Sequence, residues 1–236
     1  MRKSLLKVGV LVVLLSLSSL ALAETSPPER GSLQVTGSAI VTGAPDVAYI
    51  TLGVETRDAS ADKAAQENAD RMAKVFDALY ALGLTDKELT TSGYNIYSST
   101  QVLNRGLQNE EYITTYHVHN RINVKTKDLT SVGQIIDAAV KAGANQVQGV
   151  TFDIEDKQEM QLEALKNAIR QGMAKAEVMA DAAGITLGGI ASINENYASY
   201  APVVSAMAFR LDAAAETTIN PDDVEVTATV NLDFWF

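Results

Sequence analysis

Residues 47–83 read VAYITLGVETRDASADKAAQENADRMAKVFDALYALG, and a change of period inside this stretch decides the fold class. From Val47 to Glu55 the pattern is β-rich with a repeat of two, which puts Tyr49, Thr51, Gly53 and Glu55 on one face. From Ser60 the repeat lengthens. Ala61, Ala65, Ala69, Met72, Phe76 and Leu79 fall at helical spacing, with Lys63, Glu67, Asp70 and Lys74 elsewhere on the circumference. Asp58 or Ser60 can cap the helix, and Gly83 ends it as a residue able to take positive φ. A strand running directly into an amphipathic helix, repeated along the chain, defines an α+β protein.

Upstream of this stretch, Leu33, Val35 and Gly37 alternate with Gln34 and Thr36, and the run continues through Ile40 and Val41. Gly43-Ala44-Pro45-Asp46 is turn chemistry, so the expectation is an opening hairpin with Val47–Glu55. Downstream, Leu89–Leu103 and Glu111–Thr126 form a second hairpin around Asn104-Arg105-Gly106. In its second arm Tyr116, Val118, Ile122 and Val124 share one face, and His117, His119, Arg121, Asn123 and Lys125 share the other. Asp128 caps a helix carrying Leu129, Val132, Ile135, Ile136, Ala139 and Val140, closed by Gly143. A strand follows over Val147–Ile154.

Asp156 and Glu159 form a capping box for the longest helix, which ends at Ala183 before Gly184. Its expected buried stripe is Leu162, Leu165, Ile169, Gly172, Ala176, Met179 and Ala183. At 1.5 Å per residue it is roughly 40 Å long, enough to cross a wide sheet or to reach a partner. Ile190–Tyr197 is a short strand. The last strand alternates strictly, with Val224, Val226, Ala228, Val230, Leu232, Phe234 and Phe236 on one face.

The expected order is therefore ββ-α-ββ-α-β-α-ββ: antiparallel sheet with three amphipathic helices packed on one face. The helix ends Ala81-Leu82-Gly83-Leu84 and Ala182-Ala183-Gly184-Ile185 hint at a duplicated half, and a division into two subdomains would fall near residue 127.

The N-terminus sets the compartment. Arg2, Lys3 and Lys7 precede an apolar run from Val8 to Leu22, and Ala21-Leu22-Ala23 is an A-x-A site before Glu24. Residues 1–23 thus read as a cleavable signal peptide, cut between Ala23 and Glu24, and residues 24–31 as a flexible leader to a domain over 32–236. The chain has no cysteine, which excludes a lipid anchor on cysteine, a disulfide framework and thiol chemistry. Cleavage removes three basic residues and no acidic one, so the formal charge falls from −10 to −13. Such a surface repels phosphate backbones and excludes nucleic acid as a partner.

Chemical motifs are sparse. Phosphate loops and the nucleophile elbow are missing from the sequence. His117 and His119, at i and i+2 on one strand face, have a spacing that can chelate a metal. Arg121 and Lys125 share that face and oppose a cation, and no neighbouring carboxylate or cysteine is evident in the sequence to complete a ligand set. Asp153, Glu155, Asp156 and Glu159 miss the calcium-loop pattern and suit a helix N-terminus. The five methionines beyond the signal, Met72, Met160, Met173, Met179 and Met207, are read mostly as helix packing. No catalytic residue, metal site or cofactor is expected. Phe236, closing a strand with apolar residues at every second position, imitates the last strand of an outer-membrane barrel, but three helical segments oppose a barrel monomer.

Together these residues resemble a known family. Val35-Thr36-Gly37-Ser38-Ala39, Pro45-Asp46-Val47-Ala48-Tyr49-Ile50 and Gly53-Val54-Glu55 are similar to the opening of the SIMPL domain family. The likeness continues through Asn68-Ala69, Met72, the region from Tyr116 to Val124 around Asn120, Gly143-Ala144-Asn145 and Gly149-Val150-Thr151-Phe152. It closes with Glu163-Ala164-Leu165, Lys175-Ala176-Glu177, the run from Ala183 to Gly188 and the strand from Val224 to Val230. The resemblance implies a location in the periplasm or outer envelope, a role in defence against oxidative stress, and ring-like or channel-like homo-oligomers. It supplies no catalytic residue. Residues 198–219, Ala-rich and poor in charge, depart from the family pattern.

The expected function is thus a non-enzymatic periplasmic protein that self-assembles and supports envelope or oxidative stress tolerance. Two alternatives stand beside it. One is a small-molecule binding protein or enzyme using the His117/His119 face, and the other is an oligomeric, channel-like assembly associated with the outer membrane.

Overall fold

In the computed structural model, which describes residues 30–104, 106, 110–196, 219 and 221–236, the alternating segments form seven strands. They are β1 (Ser32–Gly43), β2 (Val47–Asp58), β3 (Leu89–Leu103), β4 (Glu111–Thr126), β5 (Gln146–Asp153), β6 (Gly189–Asn196) and β7 (Val224–Trp235). Three α-helices join them: α1 (Ala61–Ala81), α2 (Val132–Ala142) and α3 (Gln158–Ala183). The signal peptide with its Ala23/Glu24 cleavage site, and all of the segment 198–219 except Ile219, lie outside the described residues.

The strands sort into two antiparallel sheets, of order β1-β7-β6 and β3-β4-β2-β5. Each carries its helices on one face: α3 on the first, α1 and α2 on the second. The α+β class and the sequence of elements agree with the pattern of periods. Gly83, Gly143 and Gly184 follow the three helices with φ of 90°, 125° and 68°, values that L side chains rarely adopt.

The opening hairpin does not form. β1 pairs with β7, and β2 pairs with β4 and β5. The reason lies in the link between them. Asp46 donates its backbone N–H to the Asp153 carbonyl at 2.9 Å, and its Oδ1 accepts from the Glu155 N–H at 2.8 Å. These bonds lead the chain onward into the second sheet instead of folding it back on β1. Turn residues mark where direction changes; they do not name the partner strand.

The stripe of α3 is also rotated from expectation. The buried residues are Ala164, Ala168, Gly172, Ala176 and Ala180, while Leu162 is 59% and Val178 68% exposed. Leu165 and Ile169 are only partly buried, and Met173 and Met179, read from sequence as packing residues, are exposed. Close approach explains the choice. A Cβ on Gly37 of β1 would stand 2.0 Å from the Ala168 carbonyl oxygen, and one on Gly172 would stand 2.7 Å from Leu232. Only small side chains let the helix lie this near the sheet.

α1 is rotated in the same way. It buries Ala64, Asn68, Met72, Val75 and Leu79, leaving Ala61, Ala65, Ala69 and Phe76 outside the fully buried set. At the start of α3 the capping box does not assemble. Lys157 occupies the cap position, and Asp156 Oδ1 accepts from the Gln158 N–H at 3.0 Å. At α1, Ser60 is the cap residue without a side-chain bond, and Asp58 accepts from the Ser60 N–H at 2.8 Å.

The strand resembling a barrel closure is β7, the middle strand of the first sheet. Its apolar residues Val226, Val230, Leu232 and Phe234 are buried in the cluster formed with α3. Among the described residues no helix is long and apolar enough to cross a membrane.

Candidate functional site

The open face of the second sheet, opposite α1 and α2, carries the richest polar constellation. The period-two repeat of β4 points His117, His119 and Arg121 outward, as the sequence pattern requires. The β2–β4 register sets Glu55 opposite His119 and Arg57 opposite His117, and β3 brings Tyr97 and Ser99 alongside.

Glu55 is the centre, with its side chain 10% exposed. Its Oε1 accepts from Arg57 Nε at 2.7 Å, and its Oε2 accepts from Gln146 Nε2 at 2.6 Å. The same Oε1 lies 3.7 Å from both His117 Nδ1 and His119 Nε2. Burial pushes the Glu55 carboxyl up, but the Arg57 hydrogen bond, His119, the Arg57 charge and His117 together hold it below its ordinary value. Its backbone is clamped as well. Asn145, in the turn after α2, accepts from the Glu55 N–H at 2.7 Å and donates to the Glu55 carbonyl at 2.8 Å. The side-chain amide thus prolongs the β5 edge by one step.

Tyr97 covers the histidines. Its ring stacks on His117 at 4.8 Å with 3° between planes, and on His119 at 5.5 Å with 10°. Ser99 Oγ lies 2.8 Å from His117 Nε2, and Tyr97 Oη lies 3.3 Å from His119 Nε2. Among the described residues His117 Nδ1 has no hydrogen-bond partner, although it is buried.

The site is held from beneath by the fully buried Asn68 of α1. Its Nδ2 donates to the Val54 carbonyl at 2.9 Å and to the Val118 carbonyl at 3.2 Å. Val54 adjoins Glu55, and Val118 separates the two histidines. One helix side chain therefore ties together the two strands that present the site. Thr56 Oγ1 adds a bond to the Ala64 carbonyl at 2.7 Å.

Several chemistries can be judged from this geometry. Ser99, His117 and Glu55 stand in the order of a hydrolytic triad. However, Glu55 is 3.7 Å from the imidazole and already engaged by Arg57 and Gln146, so it orients the ring poorly. Among the described residues no group of three or more His, Asp or Glu side chains could hold a metal ion. The sequence reading placed no carboxylate near His117 and His119, and here the structure corrects it: Glu55 sits between them. Its face on β2 was legible, but its pairing with β4 was not, because register between strands more than sixty residues apart is a property of the folded sheet. Gln146 was missed for the same reason; Tyr97 and Ser99 lie on the expected hairpin partner of β4, but which of its residues stand beside the histidines depends on the register of that hairpin.

A polar pocket of about 320 Å³ adjoins the cluster, lined by Gly93, Asn95, Tyr97, His119, Arg121, Gln146 and Gln148. Arg121 Nη1 donates to Gln148 Oε1 at 3.4 Å. At the far end of the same strand face, Lys125 donates to Glu155 at 2.5 Å and Lys127 also pairs with it. The bonds to Lys125 and then Lys127 pull the Glu155 carboxyl down to about 2.

Two antiparallel sheets, each with helices on one face, define an α+β protein, and the open face of the second sheet is polar. Residues 33–234 match the model of the SIMPL family, described as a protein of unknown function (DUF541), and the chain belongs to that family. It is 34% identical over 172 residues to the 26 kDa periplasmic immunogenic protein of Brucella melitensis biotype 1, covering 72% of this chain and 68% of that one. The protein of the same name from Brucella abortus is 33% identical over the same length. The uncharacterized protein YggE of Escherichia coli K12 is 25% identical over 210 residues, covering 88% of this chain and 83% of that one.

Proposed function

We propose that this chain is an exported, non-enzymatic protein of the periplasm that assembles with copies of itself and supports tolerance of envelope and oxidative stress. Export is supported by the cationic, apolar N-terminus with its Ala23/Glu24 cleavage site, and by the periplasmic designation of the Brucella relatives. The stress role is supported by the family likeness.

One observation carries self-assembly: α3 leaves Leu162, Met173, Val178 and Met179 exposed while fully burying its small side chains. Val178 and Met179 line a groove of about 580 Å³ whose other wall is Gln34, Val35 and Thr36 at the edge of β1. An apolar groove beside a strand edge that no other described strand pairs is characteristic of a contact surface. Lys175 donates to the Thr36 carbonyl at 2.9 Å and Gln171 accepts from the Ser38 N–H at 2.7 Å, so part of the edge is already engaged. At the opposite edge of the same sheet, β6 exposes Ile190 and Ile193. Two unlike edges on one sheet favour head-to-tail contacts, which close into rings when the rotation permits.

Light scattering on the mature protein across a hundredfold range of concentration tests the assembly. A mass of several protomers is expected, and a single-protomer mass throughout overturns it. Release by osmotic shock tests the compartment; retention until detergent is added would favour an outer-membrane assembly instead. Peroxide survival of a deletion strain, with and without the gene restored, tests the stress role.

A further inference from the structure

The pocket beside Glu55 has a chemistry of its own, and it does not depend on self-assembly. Arg121 is its one guanidinium. Among the described residues no carboxylate forms an ion pair with Arg121, although the mature chain carries thirteen net negative charges. Glu55 directs its two oxygens to Arg57 and Gln146 and forms no ion pair with Arg121. Among the described residues the polar partner of Arg121 is Gln148 Oε1, at a long 3.4 Å. A guanidinium has five N–H donors, so most of its capacity is unused.

The fold makes room for this side chain. β3 slips register against β4 between Thr91 and Gly93, and Gly93 lies under the guanidinium. A Cβ on Gly93 would stand 3.0 Å from Arg121 Nη2. Bulges commonly re-aim a side chain, and here the bulge and the glycine together seat Arg121 at the pocket. Around it stand the imidazole of His119, the phenol of Tyr97 and the carboxamides of Gln146 and Gln148.

We propose that this pocket binds a compact, polar organic carboxylate, its two oxygens received by the Arg121 fork and its hydroxyl or amide substituents by Gln146, Gln148 and His119. Three features select this class. The planar fork matches a carboxylate with two parallel N–H···O bonds. A single cation, with no lysine and no helix N-terminus among the lining residues, suits one negative charge better than a phosphate dianion. A volume of about 320 Å³ lies at the small end of ligand sites, which excludes a bulky or polymeric anion.

Calorimetric titration of the intact mature protein with glycerate, and separately with inorganic phosphate, at fixed ionic strength provides the test. Saturable glycerate binding is expected, weakened at least tenfold in Arg121→Gln and unchanged in Arg71→Gln, a remote arginine on α1. Gly93→Val, which intrudes on the seat of the guanidinium, is expected to weaken binding as well. Thermal melts of each variant separate loss of binding from loss of fold. Glycerate binding that survives Arg121→Gln undiminished overturns the assignment of the site. Saturable phosphate binding without glycerate binding overturns the carboxylate class, and no saturable binding by either overturns the pocket. None of these outcomes bears on the assembly mass, so the two readings fail separately.

Discussion

The two sheet–helix layers bury apolar surface with side chains of very different size. In the layer of β2, β4, β5, α1 and α2 the core is large and branched: Ile50, Leu52, Leu79, Ile122, Ile135 and Val124 are fully buried or nearly so. In the layer of β1, β7 and α3 the fully buried helix residues are alanine and glycine, against Val230, Leu232 and Phe234 on the sheet, with Met160, Leu165 and Ile169 partly buried beside them. The first layer gains stability from area removed from water, at roughly 25 cal/mol per Å². The second gains it also from close contact of backbone with backbone, which leaves Leu162, Met173, Val178 and Met179 of α3 facing outward. The difference teaches that an amphipathic helix is not always buried by its greasiest face. Where the partner strand carries a glycine, the smallest face wins, and the larger residues become available for another contact.

The close approach of α3 to its sheet depends most directly on Gly37. Replacing it by Ala forces a Cβ into the Ala168 carbonyl, so a loss of about 3 kcal/mol or more is expected in urea unfolding. A loss below about 1 kcal/mol would show that α3 can retreat easily and that the close approach matters little. In the other layer, Leu79→Ala should cost about 2–5 kcal/mol by leaving a cavity. The two variants together separate overlap from cavity as the dominant sensitivity.

Asn68→Ala should cost about 1–3 kcal/mol, because it strips the Val54 and Val118 carbonyls of a buried donor. It should also shift the ring resonances of His117 and His119 in NMR spectra, which a loss confined to α1 packing would not do. Val178→Lys should alter monomer stability by no more than about 0.5 kcal/mol while lowering the assembly mass in light scattering. A mass unchanged from the parent would remove the α3 face from the interface.

The smallest effect belongs to Glu155. Its folded pKa of about 2 lies below the ordinary 4.5, so its contribution is present above pH 4.5 and is lost as pH falls towards 2. Glu155→Gln should therefore flatten the acid side of the melting-temperature profile slightly between those values. At half-molar salt the difference should vanish, because the pair is exposed and screened.

Much of this molecule was legible in the chain. The second hairpin, the three helices and their glycine ends lie where the periods place them, because local spacing of apolar residues directly governs which segments can hide one face. His117, His119 and Arg121 share an exposed strand face for the same reason. The rotation of α1 and α3 was not legible. It depends on a buried amide finding two carbonyls and on a glycine in a strand far along the sequence, and neither is a property of the helix itself. Glu55 joined the histidines through a register, and Arg121 gained its seat through a bulge.

What the sequence determined by itself was the type and extent of most elements, since hydrophobic period, turn residues and helix stops act over a few neighbours. Which strand pairs with which, which face of each helix is covered, and which polar groups meet on the open sheet were decided only in the tertiary structure. Those outcomes arise from contacts between residues distant in the chain, where backbone hydrogen bonding and steric fit between whole surfaces outweigh any local preference.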